Sequence, residues 1–403
     1  MAPGTKDPLW QTVCTECHQP AGDAYAPYCP SCNAMTRIEY DLDRVELRDS
    51  PNPYVRFRDL LPIRDESLLP TDATYTRLVH STAFGEKLGM SNLYLKDETS
   101  LPTGTTKDRM AAIALPYLYE GGLRAFCTSS TGNSSTAYSA ALGRVPGITM
   151  YLFTAEDFAR RLHIPESPQV VNFVLKDATF VEAFDAARAW GLNNGLTPER
   201  GFFNPGRREG LKVAFLETID QIPEPPEWYF QAVSSSTGVY GIYEGAAQLR
   251  AMGAIDKLPR LVCVQQASCC PMVTAWEAGS DAIRKEDIIP RPVGIAKAIL
   301  RGNPTATYPL MRNRVVETDG TFKSVTEQEI RDARKQLEDL EGISPCFAAA
   351  TAVAGMVKMR KSGELPADDM VLVNVTGRDR DEEPTIGEIT WMERSDDGWV
   401  PAA

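Results

Sequence analysis

Residues 93–135 read LYLKDETSLPTGTTKDRMAAIALPYLYEGGLRAFCTSSTGNSS. An apolar, strand-like run at Leu93–Leu95 gives way to a Pro102-Thr103-Gly104 turn, and Lys107 stands just before a helix predicted over Asp108–Tyr119. A second run, Ala125–Cys127, leads into the turn Ser129-Ser130-Thr131-Gly132-Asn133-Ser134-Ser135. Gly132 lets that turn close. A helix starting nearby offers unpaired N–H groups to an anion. A primary amine is both a nucleophile toward carbonyl groups and a proton carrier. The stretch therefore joins a reactive amine to an anion-binding loop.

Outward from this stretch, apolar runs alternate with helical patterns. The runs are Thr149–Phe153, Val170–Leu175, Tyr229–Val233, Leu261–Val264 and Val371–Val375, and the helices Glu182–Gly191, Arg208–Ile219 and Tyr240–Met252. Such alternation predicts an α/β fold of mainly parallel sheet flanked by helices. Thr326 and Glu329 form a capping box, and Ile330, Ala333, Leu337 and Leu340 then recur on one helical face. Ala348–Met359 reads as a packed helix, and breaks fall near Asp49–Pro53, Ile222–Glu227 and Pro290–Pro292.

With 403 residues the chain has room for two large units and a small third, at about 100–200 residues each. A net charge of −12 argues against nucleic-acid or membrane-surface binding, which needs a basic face. The N-terminus lacks a signal-peptide pattern and no long apolar span occurs, so a cytoplasmic setting is expected. Two CxxC pairs, Cys14/Cys17 and Cys29/Cys32, have the pairing of a four-thiolate structural zinc site. Two disulfides or four unrelated thiols are the competing readings. Such a closed site would staple a segment too short to build a core, leaving no open position for catalysis.

The ordered motifs resemble threonine synthase, within the fold-type II pyridoxal-phosphate enzymes. They run KDE, PTG and KDR (Lys96–Arg109), STGNSS from Ser130, NPxRxEGxK (Asn204–Lys212), a Ser/Gly loop at Ser234, GIYEG (Gly241–Gly245), RGNP (Arg301–Pro304), EGI (Glu341–Ile343) and TGRD (Thr376–Asp379). The resemblance implies a zinc ribbon with its lead-in over 1–45. A larger cofactor-binding unit would span 46–100 and 206–403, with a smaller substrate-binding unit over 101–205. It also implies a homodimer.

Under the resemblance Lys107 would capture the cofactor aldehyde and then serve as general base at the substrate α-carbon. Asn133 would meet the cofactor's ring hydroxyl, Thr376 the ring nitrogen, and Ser234, Ser235, Ser236, Thr237 and Gly238 the phosphate. Ser130, Thr131, Gly132 and Ser134 would receive the substrate carboxylate, with Arg207 and Lys212 at an anionic leaving group. Asp108 and Arg109 would hold the helix start. The chain departs from the family pattern at Thr105-Thr106, where Ser-Phe is usual, and at Gly206, where tyrosine is usual. The implied activity is conversion of O-phosphohomoserine to threonine and phosphate. β-Replacement on O-phosphoserine, as in cysteate or cysteine synthases, is the alternative, and a non-catalytic interaction module is a third reading.

Overall fold

A computed structural model describes residues 8–380, 383, 385–396 and 398–402. Its frame is two six-stranded sheets. The first has the order Thr321–Val325, Arg260–Gln266, Trp228–Ala232, Val371–Val375, Leu93–Asp97, Arg77–His80. All its pairings are parallel except at the edge strand Arg77–His80. Trp228–Ala232 and Val371–Val375 are buried at every position, as strands covered on both faces must be.

Side chains alternate between the faces. Phe230, Val262 and Val373 pack with Ala349, Val353 and Met356 of helix Phe347–Ser362. Their neighbours Tyr229, Leu261 and Leu372 join the other cluster, with helices Lys107–Glu120, Pro205–Gln221 and Thr237–Ala251. The capping box at Thr326 is present, opening helix Glu327–Glu341 with Ile330, Ala333 and Leu337 buried.

The second sheet runs Gly398–Pro401, Ile389–Ser395, Val170–Leu175, Thr149–Ala155, Ala125–Ser129, Thr197–Pro198. Helix Phe180–Asn193 packs Ala183 and Ala187 against Cys127, Phe153 and Leu175. The sequence groups 206–403 with the larger unit, yet Ile389–Ser395 pairs parallel with Val170–Leu175. The C-terminal hairpin thus extends the other sheet. Its mixed, half-exposed residues give no apolar run to mark it as a strand.

The N-terminal segment forms an antiparallel pair, Trp10–Cys14 with Thr36–Tyr40. It lies on the body of the protein. Thr12 Oγ1 and Tyr117 Oη are 2.9 Å apart, Arg208 Nη2 donates to Thr36 O, and the Trp10 and Tyr117 rings sit 6.3 Å apart.

Three helices meet backbone to backbone. A Cβ on Gly210 would lie 2.3 Å from Arg109 O, and one on Gly241 would lie 2.5 Å from Arg208 O. The Gly206 position is closed in the same way, its Cβ falling 2.8 Å from Ala114 Cα and 3.0 Å from Tyr117 Cβ. Tyr117 fills that space, so this departure from the family motif answers to packing. Gly210→Ala should lower stability by about 1–3 kcal/mol through overpacking, read as a lower urea midpoint with unchanged slope.

Candidate active site

Four loops at the carboxyl ends of parallel strands converge on one cleft, where open α/β sheets bind ligands. Leu93–Asp97 leads to Lys107, Ala125–Ser129 to the 130s turn, Trp228–Ala232 to Ser234–Gly238, and Val371–Val375 to Thr376. The first and last are tied together. Thr106 N donates to Thr376 O at 2.9 Å, and Arg378 N to Gly104 O at 2.9 Å. At Gly377 a Cβ would lie 2.7 Å from Gly104 O. Thr105, Thr106 and Lys107 are thereby held beside Thr376.

Lys107 opens helix Lys107–Glu120 and lines the cleft. Burial, reinforced by the Arg207 charge, pulls its ammonium from 10.5 to about 8. Asp108 accepts from Thr103 N and Thr103 Oγ1, both at 2.7 Å, so it fastens the loop entering the helix. Arg109 points away into a buried cluster with Glu98 and Glu217.

In the 130s turn, Ser130 Oγ accepts from Gly132 N (3.0 Å) and Ser135 N (3.2 Å). Asn133 Oδ1 accepts from Arg380 Nη1 at 3.2 Å, and Ser134 Oγ from Arg207 Nη1 at 3.3 Å. Ser130, Thr131, Asn133 and Ser134 line the cleft, whereas Gly132 backs onto Arg161, where a Cβ would lie 2.8 Å from Arg161 O. Gly132 shapes the turn from behind.

Ser234, Ser235, Ser236, Thr237 and Gly238 line the cleft where helix Thr237–Ala251 begins. Ser236 takes the left-handed conformation at φ 65°, and Ser235 Oγ and Thr237 Oγ1 are 2.9 Å apart. A Cβ at Gly238 would lie 2.2 Å from Gln231 Nε2, so a side chain there would have to displace the Gln231 amide. The helix's first N–H groups are left facing the cleft, an anion-binding arrangement.

Two cations assigned from the sequence are already paired. Arg207 lines the cleft, but its guanidinium is held by both carboxylate oxygens of Glu199. Lys212 does not reach the cleft. It is fully buried, bonded to Glu209 and to Gln248 Oε1 (2.8 Å), with the Tyr40 ring 4.4 Å away. Helical geometry explains the difference: Arg207 and Lys212 are five residues apart and so do not share a face.

Several cleft residues carried little signal in the sequence. Glu199 receives Asn204 Nδ2 (2.7 Å) and Tyr138 Oη (3.0 Å) besides Arg207. Arg188, Arg200, Arg301, Phe180 and Phe184 also line the cleft. Among the described lining residues, Lys107, Arg188, Arg200, Arg207 and Arg301 stand against one carboxylate, Glu199. The cleft is a cationic island in a chain of net charge −12.

The family model described as "Pyridoxal-phosphate dependent enzyme" matches residues 70–377. The chain belongs to that enzyme family. It is 31% identical over 389 residues to the cysteate synthase of Methanosarcina barkeri, covering 90% of each chain. To the threonine synthase of Methanosarcina acetivorans it is 30% identical over 400 residues, covering 94% of this chain and 96% of the other. Among solved structures, maize serine racemase superposes with a TM-score of 0.60 at 18% identity, covering 76% of this chain and 89% of that one. Threonine deaminase isoform 2 from Solanum lycopersicum gives 0.61 at 16% identity, covering 84% and 94%. The expected fold-type II architecture and enzyme class both hold. No helix among the described residues is long and apolar enough to cross a membrane.

At the ribbon, Cys14, Cys17, Cys29 and Cys32 bring their sulfurs within 4.8 Å of one another. Glu16 N and Cys17 N point at Cys14 Sγ, and Ser31 N at Cys29 Sγ, at 3.3–3.4 Å. His18 is outside this set, and the four thiols are free of disulfides.

Because an amine adds to an aldehyde only when deprotonated, capture of pyridoxal phosphate by the apoprotein should follow Lys107's lowered pKa. The capture rate, read by visible absorbance, should rise through a midpoint near pH 8 and vanish in Lys107→Ala. A midpoint at the ordinary lysine value of about 10.4 would contradict the assignment.

Proposed function

We propose that this enzyme replaces an anionic leaving group on an amino acid, with Lys107 as the proton-moving residue. The carrying observation is the Lys107 amine, lowered to about 8 and opening between the 130s turn and the Ser234–Gly238 helix start. These residues fit pyridoxal phosphate. An aldehyde has an amine to meet, a phosphate has unpaired N–H groups and hydroxyls, and Ser129 Oγ is buried on the cleft wall with no partner among the described residues.

When bound, the cofactor would supply an aldehyde for the amine and an electron sink for the substrate α-carbon. The chain's residues would do the rest. Ser234, Ser235, Ser236, Thr237 and Gly238 would hold the phosphate. Asn133 would face the ring hydroxyl; with its Oδ1 occupied by Arg380, its Nδ2 is left to donate. Thr376 would place a neutral hydroxyl at the ring nitrogen, a weaker partner for a protonated ring than a carboxylate. Ser130, Thr131 and Ser134, with backbone N–H groups, would take the substrate carboxylate. Thr105 and Thr106 would shape the floor.

Lys107 is the one lysine among the described residues lining the cleft, and Glu199 is tied up by Arg207, Tyr138 and Asn204. A single proton carrier suits β-replacement, which removes and returns one proton at the α-carbon. We therefore favour O-phosphoserine as substrate and a cysteate-synthase-like reaction. Lys107 Nζ takes the α-proton and the C–O bond breaks, phosphate leaving with its electron pair. The sulfur of sulfite then bonds to the β-carbon, and Lys107 returns the proton. Threonine formation from O-phosphohomoserine is the second reading, supported by 30% identity to a threonine synthase. The proposal includes a homodimer and a reducing, cytoplasmic setting, the latter supported by nine free cysteines. It also includes a structural zinc at Cys14, Cys17, Cys29 and Cys32, whose convergence suits a tetrahedral four-thiolate ion.

Incubation of cofactor-loaded enzyme with O-phosphoserine plus sulfite should yield cysteate and phosphate, identified by mass spectrometry. Threonine from O-phosphohomoserine instead would transfer the assignment to the second reading, and turnover of neither would sink both. Metal analysis should find one zinc per chain, with Cys14→Ser losing it and melting at lower temperature. A zinc-free, equally stable wild type would refute the ribbon site.

A further inference from the structure

The cation left for a substrate's distal anion is not either of the two named by the family motif. Arg207 is neutralised by Glu199, and Lys212 lies outside the cleft beside Glu209. Arg301 differs from both. It lines the cleft, and among the described residues no carboxylate lies at ion-pair distance from it, the charge of Asp185 acting only from further off. Its Nε donates to Asn303 O at 3.4 Å, and its guanidinium lies 6.0 Å from the Phe184 ring. A guanidinium stays charged in proteins, so a half-buried one with no ion-pair partner is stabilised when an anion arrives. Burial acts on it accordingly, lowering its affinity for its proton, with the charge of Asp185 as the opposing influence.

The loop that presents Arg301 is fixed in place. At Gly302 a Cβ would lie 1.7 Å from Ile289 O, and Ile289 N donates to Gly302 O at 3.0 Å. Asn303 Oδ1 accepts from Thr305 N (3.2 Å) and Thr305 Oγ1 (2.6 Å), closing the turn that follows. A charged side chain on a pinned loop is pre-organised, and so loses little freedom on binding. Of the other unpaired cations, Arg188 is exposed and Arg200 stands over the Tyr28 ring at 5.5 Å.

We infer that Arg301 is a specificity-determining residue that binds the distal anionic group of the substrate, selecting amino acids that carry a phosphate, sulfonate or carboxylate beyond the α-carbon. This rests on the reading of the cleft as an amino-acid site, and it names the substrate class more narrowly. The planar guanidinium can meet such an oxyanion through two N–H groups at once.

The test uses cofactor-loaded wild type, Arg301→Gln and Arg301→Lys. Half-saturation is read from the ligand-induced change in visible absorbance with O-phospho-L-serine, L-cysteate and L-alanine. Wild type should prefer the two anionic ligands over L-alanine. Arg301→Gln should weaken both by about ten- to hundredfold and leave L-alanine unchanged, with Arg301→Lys recovering part of the loss. Equal weakening for all three ligands would make Arg301 merely structural, and an unchanged preference would also overturn the inference. So would a wild type that binds neither anionic ligand better than L-alanine. If wild type responds to cysteate through Arg301 yet turns over no phosphorylated amino acid, the inference stands while the proposed reaction falls.

Discussion

Everything in the cleft hangs on a charged cluster that water does not reach. Arg109 bonds Glu98 through Nε (2.6 Å) and Nη2 (2.9 Å), and Glu217 through Nη1 (3.0 Å) and Nη2 (2.6 Å). Lys96 Nζ completes it, 2.6 Å from Glu217 Oε1 and 3.0 Å from Thr76 O. Burial alone would raise the Glu98 carboxyl, but the Arg109 charge overrides it and holds it below its usual range. Such a cluster is costly to assemble and costlier to break, since removing one partner strands the rest, at about 3–5 kcal/mol. Its members come from strand Leu93–Asp97, the turn after it, helix Lys107–Glu120 and helix Pro205–Gln221. Arg109 follows Lys107 by two residues. The cluster therefore sets the rotation and height of the helix that presents the reactive amine.

Above this anchor, charge is sorted by depth. Beneath the floor each cation has its carboxylate, as Arg109, Lys96 and Lys212 do. Arg207 is paired at the wall itself. Further out, Arg188, Arg200 and Arg301 have none among the described residues. An anion in the cleft thus meets unpaired charge as well as the hydroxyls of the 130s turn. The acidic remainder of the protein sharpens that contrast by leaving the cleft as its positive region.

Much of this was legible in the sequence. Parallel strands buried on both faces announce themselves as apolar runs, and Val170–Leu175 and Val371–Val375 are found with the bounds read from sequence. The sequence pattern starts two helices late, at Arg208 and Tyr240 rather than Pro205 and Thr237. Pro205, Gly206, Thr237 and Gly238 look like turn residues, though they form the first helical turns, and Thr237 and Gly238 line the cleft. Lys107, Asn133, Thr376 and the serine loop were legible because each follows a strand end. Arg380 was not, because its partners Thr103 and Asn133 lie 277 and 247 residues away. Glu199 has partners close by in Asn204 and Arg207, and Arg301 stands in the RGNP motif, but neither pattern announces a place in the cleft. Lys212 shows the converse. A motif can preserve a lysine whose charge is spent on Glu209 and Tyr40 inside the core.

The ribbon's contacts bear on how the chain is made. Thr12 waits for Tyr117, 105 residues later, and Tyr40 for Glu209, 169 later. Thr36 waits for Arg208, 172 later, and the Tyr25 hydroxyl for Glu199 O, 174 later. Domains usually fold from the N-terminus as they emerge, and contacts this distant must close large loops. Here the ribbon segment can meet Tyr117 and Gly121 early, but its docking is complete only once helix Pro205–Gln221 exists. Until then a ribbon closed by the proposed four-thiolate zinc would keep Trp10 and Tyr25 from straying into wrong partners. It would be a knot tied early, kept for a socket that is built half a chain later.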